Sequence, residues 1–187
     1  MSADPRSASG PVDAVTPNPQ DAPSRNASRA PYSRDLFKER FESLVAVCRI
    51  QGSSVWVALL EVDHLKSVSD EYGQAVVEAV GINAARRLSE LLPSTAVVAR
   101  LSVDEIAVLL LDVTDLVEAA RIAETMRVAI GRPMEHRHVG ADVTVTVSTG
   151  LTLTHRDDQF RDVIFRASNA LNDAQNDGGD CVVAVAP

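Results

Sequence analysis

The feature that constrains the fold most is an apolar stretch, residues 97–111, interrupted by four polar or small residues. Its two aliphatic, β-branched halves, residues 97–101 and 106–111, are typical of buried strands. The four residues between them, 102–105 (SVDE), suit a tight hairpin connection that carries two carboxylates. Clustered acids cost free energy unless a positive group lies nearby. The pattern therefore fits either a solvated turn or an acidic functional site.

A second acidic strand end favours the functional interpretation. Glu61, Val62 and Asp63 end the apolar run of residues 55–62, and Lys66 follows. If this strand lies beside the hairpin, Glu61 and Asp104 meet at one edge of the sheet. Carboxylates together with the backbone carbonyl of Val62 form a donor set of the kind that Mg²⁺ prefers, and Mg²⁺ held in this way usually serves nucleotide phosphates.

Composition narrows the classes of partner. The net charge is −8, with 24% charged and 45% hydrophobic residues, so we expect neither nucleic acid nor an anionic membrane as a partner. The two cysteines, Cys48 and Cys181, are distant in sequence and form no CxxC motif. No apolar run is long enough to span a bilayer, and no secretory signal is visible. We therefore expect a cytoplasmic protein with reduced thiols.

Residues 1–31 differ from the rest of the chain. They contain six of the nine prolines, are rich in Ser, Ala, Asn and Asp, and have almost no aliphatic residues. Such a segment cannot bury enough surface to offset its ordering entropy. The sequence predicts a disordered N-terminal arm over 1–31 and one folded domain over 32–187.

The folded domain alternates helical and strand patterns. Gly52 ends a first amphipathic helix, Gly73 divides the helical pattern of residues 67–92, and Pro93 closes it. Thr114 is predicted to cap the next helix, and Asp157 or Asp158 the last one. The predicted elements are helix 33–51, strand 55–62, helices within 67–92, strands 97–101 and 106–111, helix 114–130, strands 134–138 and 142–154, a last helix, and strand 181–186.

Hairpins mixed with helical crossovers predict an α+β sandwich, in which helices cover a central, mostly antiparallel five-stranded sheet and a peripheral hairpin strand is added.

Four segments resemble the GGDEF family, whose active members are diguanylate cyclases. ALLEVDHLKSVSDEYGQ is similar to LLxxDIDxFKxINDxxGH, and ARLSVDEIAVLL is similar to ARxGGDEFxxLL. VTVSTG is similar to TVSIG, and ASNALNDAQNDGGD stands where ADxALYxAKxxGRN is expected. The resemblance covers about residues 34–185 and implies the nucleotide-cyclase-like sandwich as the fold.

The resemblance implies that the metal half of the family site is largely retained. Glu61 stands where the family has its first metal-binding Asp, with Val62 supplying a carbonyl, and Asp104 stands at the metal-binding position of the signature. Lys66 keeps the lysine that faces the phosphates. The longer arm of Glu61 moves its charge by about 1.5 Å, enough to disturb a two-metal geometry. Two alternatives therefore remain open: the domain has no cofactor, or it binds Mg²⁺.

The resemblance also implies that the nucleotide half is degraded. The two signature glycines are Ser102 and Val103, and a β-branched residue resists positive φ and fills space that the phosphates need. The remaining positions are assigned by the same comparison: Ser69 and Glu78 replace the guanine-reading Asn and Asp, Gln175 and Gly179 replace the cations that grip the triphosphate, and residues 93–96 (PSTA) replace the RxxD product-inhibition site. We expect Glu105 to be structural, paired with Lys66 or Arg100.

Two classes of function follow. The first is a catalytically inactive GGDEF domain kept as a regulatory or protein-interaction module in cyclic di-GMP-type bacterial signalling, with a signalling protein as partner. The alternative is a non-catalytic receptor that binds GTP or cyclic di-GMP. An active cyclase is disfavoured. Active GGDEF domains pair to join two substrates, whereas an inactive copy is free of that constraint, so both a monomer and a homodimer remain open.

Overall fold

The computed structural model describes residues 30–136 and 141–185. The predicted disorder of the N-terminal arm therefore falls almost wholly outside the described residues, as do positions 137–138 and 186 of the predicted strands. The elements in chain order are α1 (Arg34–Gln51), β1 (Trp56–Val62), α2 (Leu65–Tyr72), α3 (Gln74–Leu91), β2 (Val97–Arg100), β3 (Glu105–Leu110), α4 (Leu116–Ile130), β4 (Met134–His136), β5 (Ala141–Val143), β6 (Val147–Leu153), α5 (Phe160–Asn176) and β7 (Val182–Val185).

The predicted α+β sandwich with a five-stranded central sheet is confirmed. The strand order is β2-β3-β1-β6-β7, and β4 and β5 form a separate two-stranded sheet. Three of the four pairings in the central sheet are antiparallel, and only β6 and β7 run parallel. The central position of β1 matches its nearly continuous apolar sequence, since a strand covered on both faces needs no polar side.

Helices cover both faces of the sheet. Trp56, Ala58 and Leu60 of β1 face a core shared with α3 and α4. The alternate residues Val57 and Leu59 face a second core shared with α1 and α5. Within residues 30–136 and 141–185, no helix combines the length and apolar character needed to cross a membrane.

Both predicted helix caps are wrong. For α1, where no cap was predicted, Ser33 is the N-cap and its hydroxyl accepts a hydrogen bond from Leu36 N. The cap of α4 is Asp115 rather than Thr114, because the Asp115 carboxylate accepts from Glu118 N at 2.8 Å. The cap of α5 is Gln159, which forms a capping box with Asp162.

Asp158 is not available as a cap, because Arg166 donates to both its carboxylate oxygens, at 3.0 and 2.5 Å.

The predicted strand over 142–154 is two strands, β5 and β6, separated at residues 144–146. At the break Thr146 accepts a backbone hydrogen bond from Asp63 N at 2.9 Å, and its hydroxyl donates to the Asp63 carboxylate at 2.8 Å. The alternation of Val and Thr continues through this point, so the sequence pattern alone did not reveal the break.

Candidate functional site

The turn between β2 and β3 is closed by its own side chains. The Ser102 hydroxyl donates to the Asp104 carboxylate at 2.5 Å. The same hydroxyl oxygen accepts from the backbone N–H of Asp104 at 3.3 Å and of Glu105 at 3.0 Å. Among the described residues, positive φ at a non-glycine position occurs only at His64, Asp112 and Asp180, so this turn does not use the left-handed conformation that favours glycine.

The turn packs directly onto α3 at a glycine. A Cβ added to Gly81 would lie 2.1 Å from the Val103 carbonyl oxygen, so only a glycine permits this approach. The Arg100 guanidinium lies at the same point, bonded to the two Glu78 carboxylate oxygens at 2.7 and 2.8 Å. This contact lowers the pKa of Glu78. Glu78, which was predicted to replace a guanine-reading residue, is thus engaged in an ion pair within the chain.

Two acids face each other across the strands beside the turn. Glu61 and Glu105 are register partners in the antiparallel pair β1–β3. Arg34, at the first position of α1, makes an ion pair with Glu105 at 3.3 Å, so the partner is neither Lys66 nor Arg100. Burial raises the pKa of Glu105, Arg34 opposes that change, and the charges of Glu61 and Asp104 add to it.

We expect Glu105→Gln to stabilise the protein by roughly 0.5–1 kcal/mol at neutral pH. A carboxyl group whose pKa is raised in the folded state lowers the free energy of unfolding at any pH above that folded-state pKa. The destabilisation disappears as the pH falls below the pKa of the carboxyl in the unfolded chain, about 4.3. Urea unfolding of both proteins at neutral pH and at about pH 4 measures the difference. A gain that is the same at both pH values would contradict the electrostatic cause.

A pocket of about 200 Å³ lies between the end of β1 and the loop after α5. It is lined by Glu61, Val62, Asp63, His64, Gln175, Gly178 and Gly179, and this lining includes no Lys or Arg. Asp63 is buried and fully engaged: its carboxylate accepts from Thr146, from Ser148 at 2.6 Å and from Asp180 N at 3.0 Å. Asp63 therefore fixes the loop that forms one wall of the pocket.

The structure brings together only some of the predicted site residues. Glu61, Val62, Gln175 and Gly179 share the pocket, and the carbonyl of Asp104 accepts from Val62 N at 3.1 Å. The remaining residues lie apart from this lining or are otherwise engaged: Lys66 is exposed and makes no ion pair within the described residues, the Ser69 hydroxyl contacts Gln74 at 3.4 Å, and Glu78 binds Arg100.

The described residues do not include a metal site built from three side chains. No group of three or more His, Cys, Asp and Glu side chains within the described ranges is arranged to hold a metal ion. The donor set predicted from the sequence has only two side chains, Glu61 and Asp104, together with the backbone carbonyl of Val62. Pro93 and Ala96, in the segment predicted to replace the product-inhibition site, line a mostly aliphatic pocket of about 240 Å³ that includes Arg121.

The roles of two residues in this region were not predicted from the sequence. Gly81 carried a usable signal, since a glycine inside a helical pattern often marks a close approach. Arg34 carried none, because its partner Glu105 is 71 positions away.

Comparison with known proteins gives a consistent result. The family model described as "Diguanylate cyclase, GGDEF domain" matches residues 32–181. The chain is similar to the diguanylate cyclase DgcP of Pseudomonas aeruginosa, with 30% identity over 148 residues, covering 79% of this chain and 22% of DgcP. It is also similar to the response regulator PleD of Caulobacter vibrioides, with 27% identity over 157 residues, covering 83% of this chain and 34% of PleD. The chain thus spans only about a fifth to a third of these relatives.

Solved structures support the same fold. The GGDEF domain of DgcB from Caulobacter crescentus, in complex with c-di-GMP, has a TM-score of 0.77 at 21% identity, covering 96% of this chain and 98% of that one. The diguanylate cyclase SiaD from Pseudomonas aeruginosa, in complex with its activator SiaC, has a TM-score of 0.78 at 25% identity, covering 89% and 63%.

Proposed function

The chain belongs to the GGDEF family, and we propose that it is a catalytically inactive member that acts as a regulatory or protein-interaction module in cyclic di-GMP signalling. The observation that carries this proposal is the closed signature turn. Ser102 binds the Asp104 carboxylate and two backbone N–H groups, so the groups that would otherwise face phosphates are used within the turn.

The charge of the pocket beside Glu61 supports the same proposal. Glu61 and Asp63 line the pocket with Gln175 and Gly179, and the lining includes no Lys or Arg to balance a triphosphate. Two lost charged hydrogen bonds, at about 1.5–3 kcal/mol each, correspond to a rate lower by roughly 10²–10⁴-fold. The complex of SiaD with its activator SiaC is a precedent for a GGDEF protein that binds a protein partner.

We expect no cyclic di-GMP when the full chain is incubated with GTP and Mg²⁺ or Mn²⁺, with the products separated by liquid chromatography and identified by mass spectrometry. An active diguanylate cyclase assayed in parallel sets the detection limit. The expected rate is at least about a hundredfold below that enzyme, from the lost charged contacts. The proposal would be refuted if the chain forms cyclic di-GMP and Asp104→Ala abolishes this activity.

The alternative is a receptor that binds GTP or cyclic di-GMP, with or without Mg²⁺, and does not turn it over. It is favoured by the pocket beside Glu61, where glycine backbone at Gly178 and Gly179 leaves space. A ligand at a hundredfold excess over Kd stabilises the native state by about 2.7 kcal/mol, which raises Tm by roughly 5–10 °C. Under the module proposal, thermal-shift titrations with either nucleotide give no change. A shift that is lost in Glu61→Ala would favour the receptor.

A further inference from the structure

A second concave surface lies at the other end of the central strand. It is formed by the last turn of α1, the loop at residues 52–54 and the turn after β6, and encloses about 380 Å³. This volume is within the roughly 300–1,000 Å³ that is usual for ligand pockets. Thr154, in its lining, bonds to Val55 just before β1, whereas Glu61 lies near the far end of that strand, about 20 Å away. We call this surface the Arg49–Arg156 pocket.

The polar lining of the pocket is rich in hydrogen-bond donors. Arg49 and Arg156 supply guanidinium groups, His155 supplies an imidazole, and Ser53 and Ser54 supply hydroxyl groups. None of the lining residues is Asp or Glu, although the chain has 26 acidic and 18 basic residues. An acidic protein thus has a local concentration of positive charge at this point.

Contacts within the chain hold one arginine in place and leave the other free. The Arg49 guanidinium donates to the Asp158 carbonyl oxygen at 2.6 Å, which restrains its position. Arg156 is exposed and donates no hydrogen bond within residues 30–136 and 141–185. Two acids follow Arg156 in this turn: Asp157 is exposed and does not line the pocket, and the Asp158 carboxylate is already bound by Arg166 and by His155 N. Asp158 therefore does not neutralise the two arginines of the pocket.

The helix end opposes anion binding, but less strongly than the arginines favour it. The C-terminus of a helix carries about −0.5 of an elementary charge. At the end of α1, Gly52 N and Ser53 N both donate to the Cys48 carbonyl oxygen, which satisfies part of that negative end. Two full guanidinium charges remain. Guanidinium groups from two elements, Arg49 of α1 and Arg156 of the turn after β6, suit an oxyanion with several acceptor oxygens.

We propose that the Arg49–Arg156 pocket binds a phosphate group, presented as free phosphate or as a small phosphate monoester. The site is separate from the pocket beside Glu61, so it does not depend on whether the signature turn is active. It would give this GGDEF domain a second input, through a negatively charged ligand, at the end of the sheet opposite the signature turn.

The test is a titration of the ¹⁵N-labelled full chain with inorganic phosphate at constant ionic strength, followed by NMR. We expect saturable shifts of the amides of residues 49–54 and 154–156. Arg156→Gln should weaken binding by roughly tenfold or more, the effect of losing a charged contact. The matched control is Arg161→Gln, which makes the same charge change on a side chain of α5 that is 81% exposed, and should bind like the parent.

A second arm replaces phosphate with acetate and with a phosphate monoester such as glycerol phosphate. Weaker binding of acetate, with glycerol phosphate at least equal to phosphate, supports the proposal and identifies the monoester as the ligand class. The proposal is overturned if no saturable shift occurs at millimolar phosphate, if Arg156→Gln and Arg161→Gln respond alike, or if acetate binds as well as phosphate.

Discussion

Replacing Gly150 with alanine is expected to lower the free energy of unfolding by about 3 kcal/mol, the upper range for forcing extra atoms into a packed core. A Cβ at this position of β6 would lie 2.1 Å from the Ala167 carbonyl oxygen and 2.3 Å from Leu171 N. Both are backbone atoms of α5, so no side chain can rotate away. The helix would have to move off the strand that it covers, and Val163, Ala167 and Leu171 would move with it.

Gly131 provides a matched control for the same substitution. Its φ is −64°, and a Cβ there would meet no atom closer than 3.6 Å, the Arg127 carbonyl oxygen. Gly131→Ala should therefore be neutral or stabilising by up to about 1 kcal/mol. Urea or thermal unfolding followed by circular dichroism measures both variants. Equal stability of Gly150→Ala and the parent would mean that β6 and α5 do not pack as closely as described.

The sequence predicted those features that depend on local pattern. The apolar run of β1 indicated a central strand, and the hairpin after it indicated the neighbouring strands β2 and β3. Gly73 was correctly predicted to divide α2 from α3: its φ of 84° lies outside the helical region, in a conformation that glycine adopts readily. The resemblance to the GGDEF family added the topology that pattern alone left open.

The wrong predictions concern side chains whose partners are set by the packing of helices and strands. Asp158 was a reasonable helix cap by type, but Arg166 holds its carboxylate. Glu105 was assigned to a lysine or an arginine nearer in sequence, whereas Arg34 reaches it from α1. Such pairings depend on how helices and strands are placed in space, and short sequence windows carry no information about that placement.

Asp63→Ala is expected to lower the free energy of unfolding by roughly 3 kcal/mol, because it removes three hydrogen bonds to a buried charge and leaves the buried Ser148 hydroxyl unpaired. The Asp63 carboxylate accepts from the Ser148 and Thr146 hydroxyls and from Asp180 N. Ser148 is 0% exposed, so its hydroxyl has no route to solvent. Chemical denaturation of the full chain measures the loss.

Asp63→Asn separates the hydrogen-bond network from the charge. The amide oxygen can still accept from Thr146 and Asp180, and the amide N–H₂ can donate to the Ser148 hydroxyl, which is able to reverse its role. We therefore expect a cost of about 1 kcal/mol for asparagine.

Asp70→Ala, on an exposed residue of α2, should change stability by less than about 0.5 kcal/mol. If alanine and asparagine at position 63 cost the same, the charge rather than the network holds the Gly178–Asp180 loop. If neither substitution costs more than Asp70→Ala, Asp63 does not anchor that loop, and the pocket wall beside Glu61 depends on other contacts.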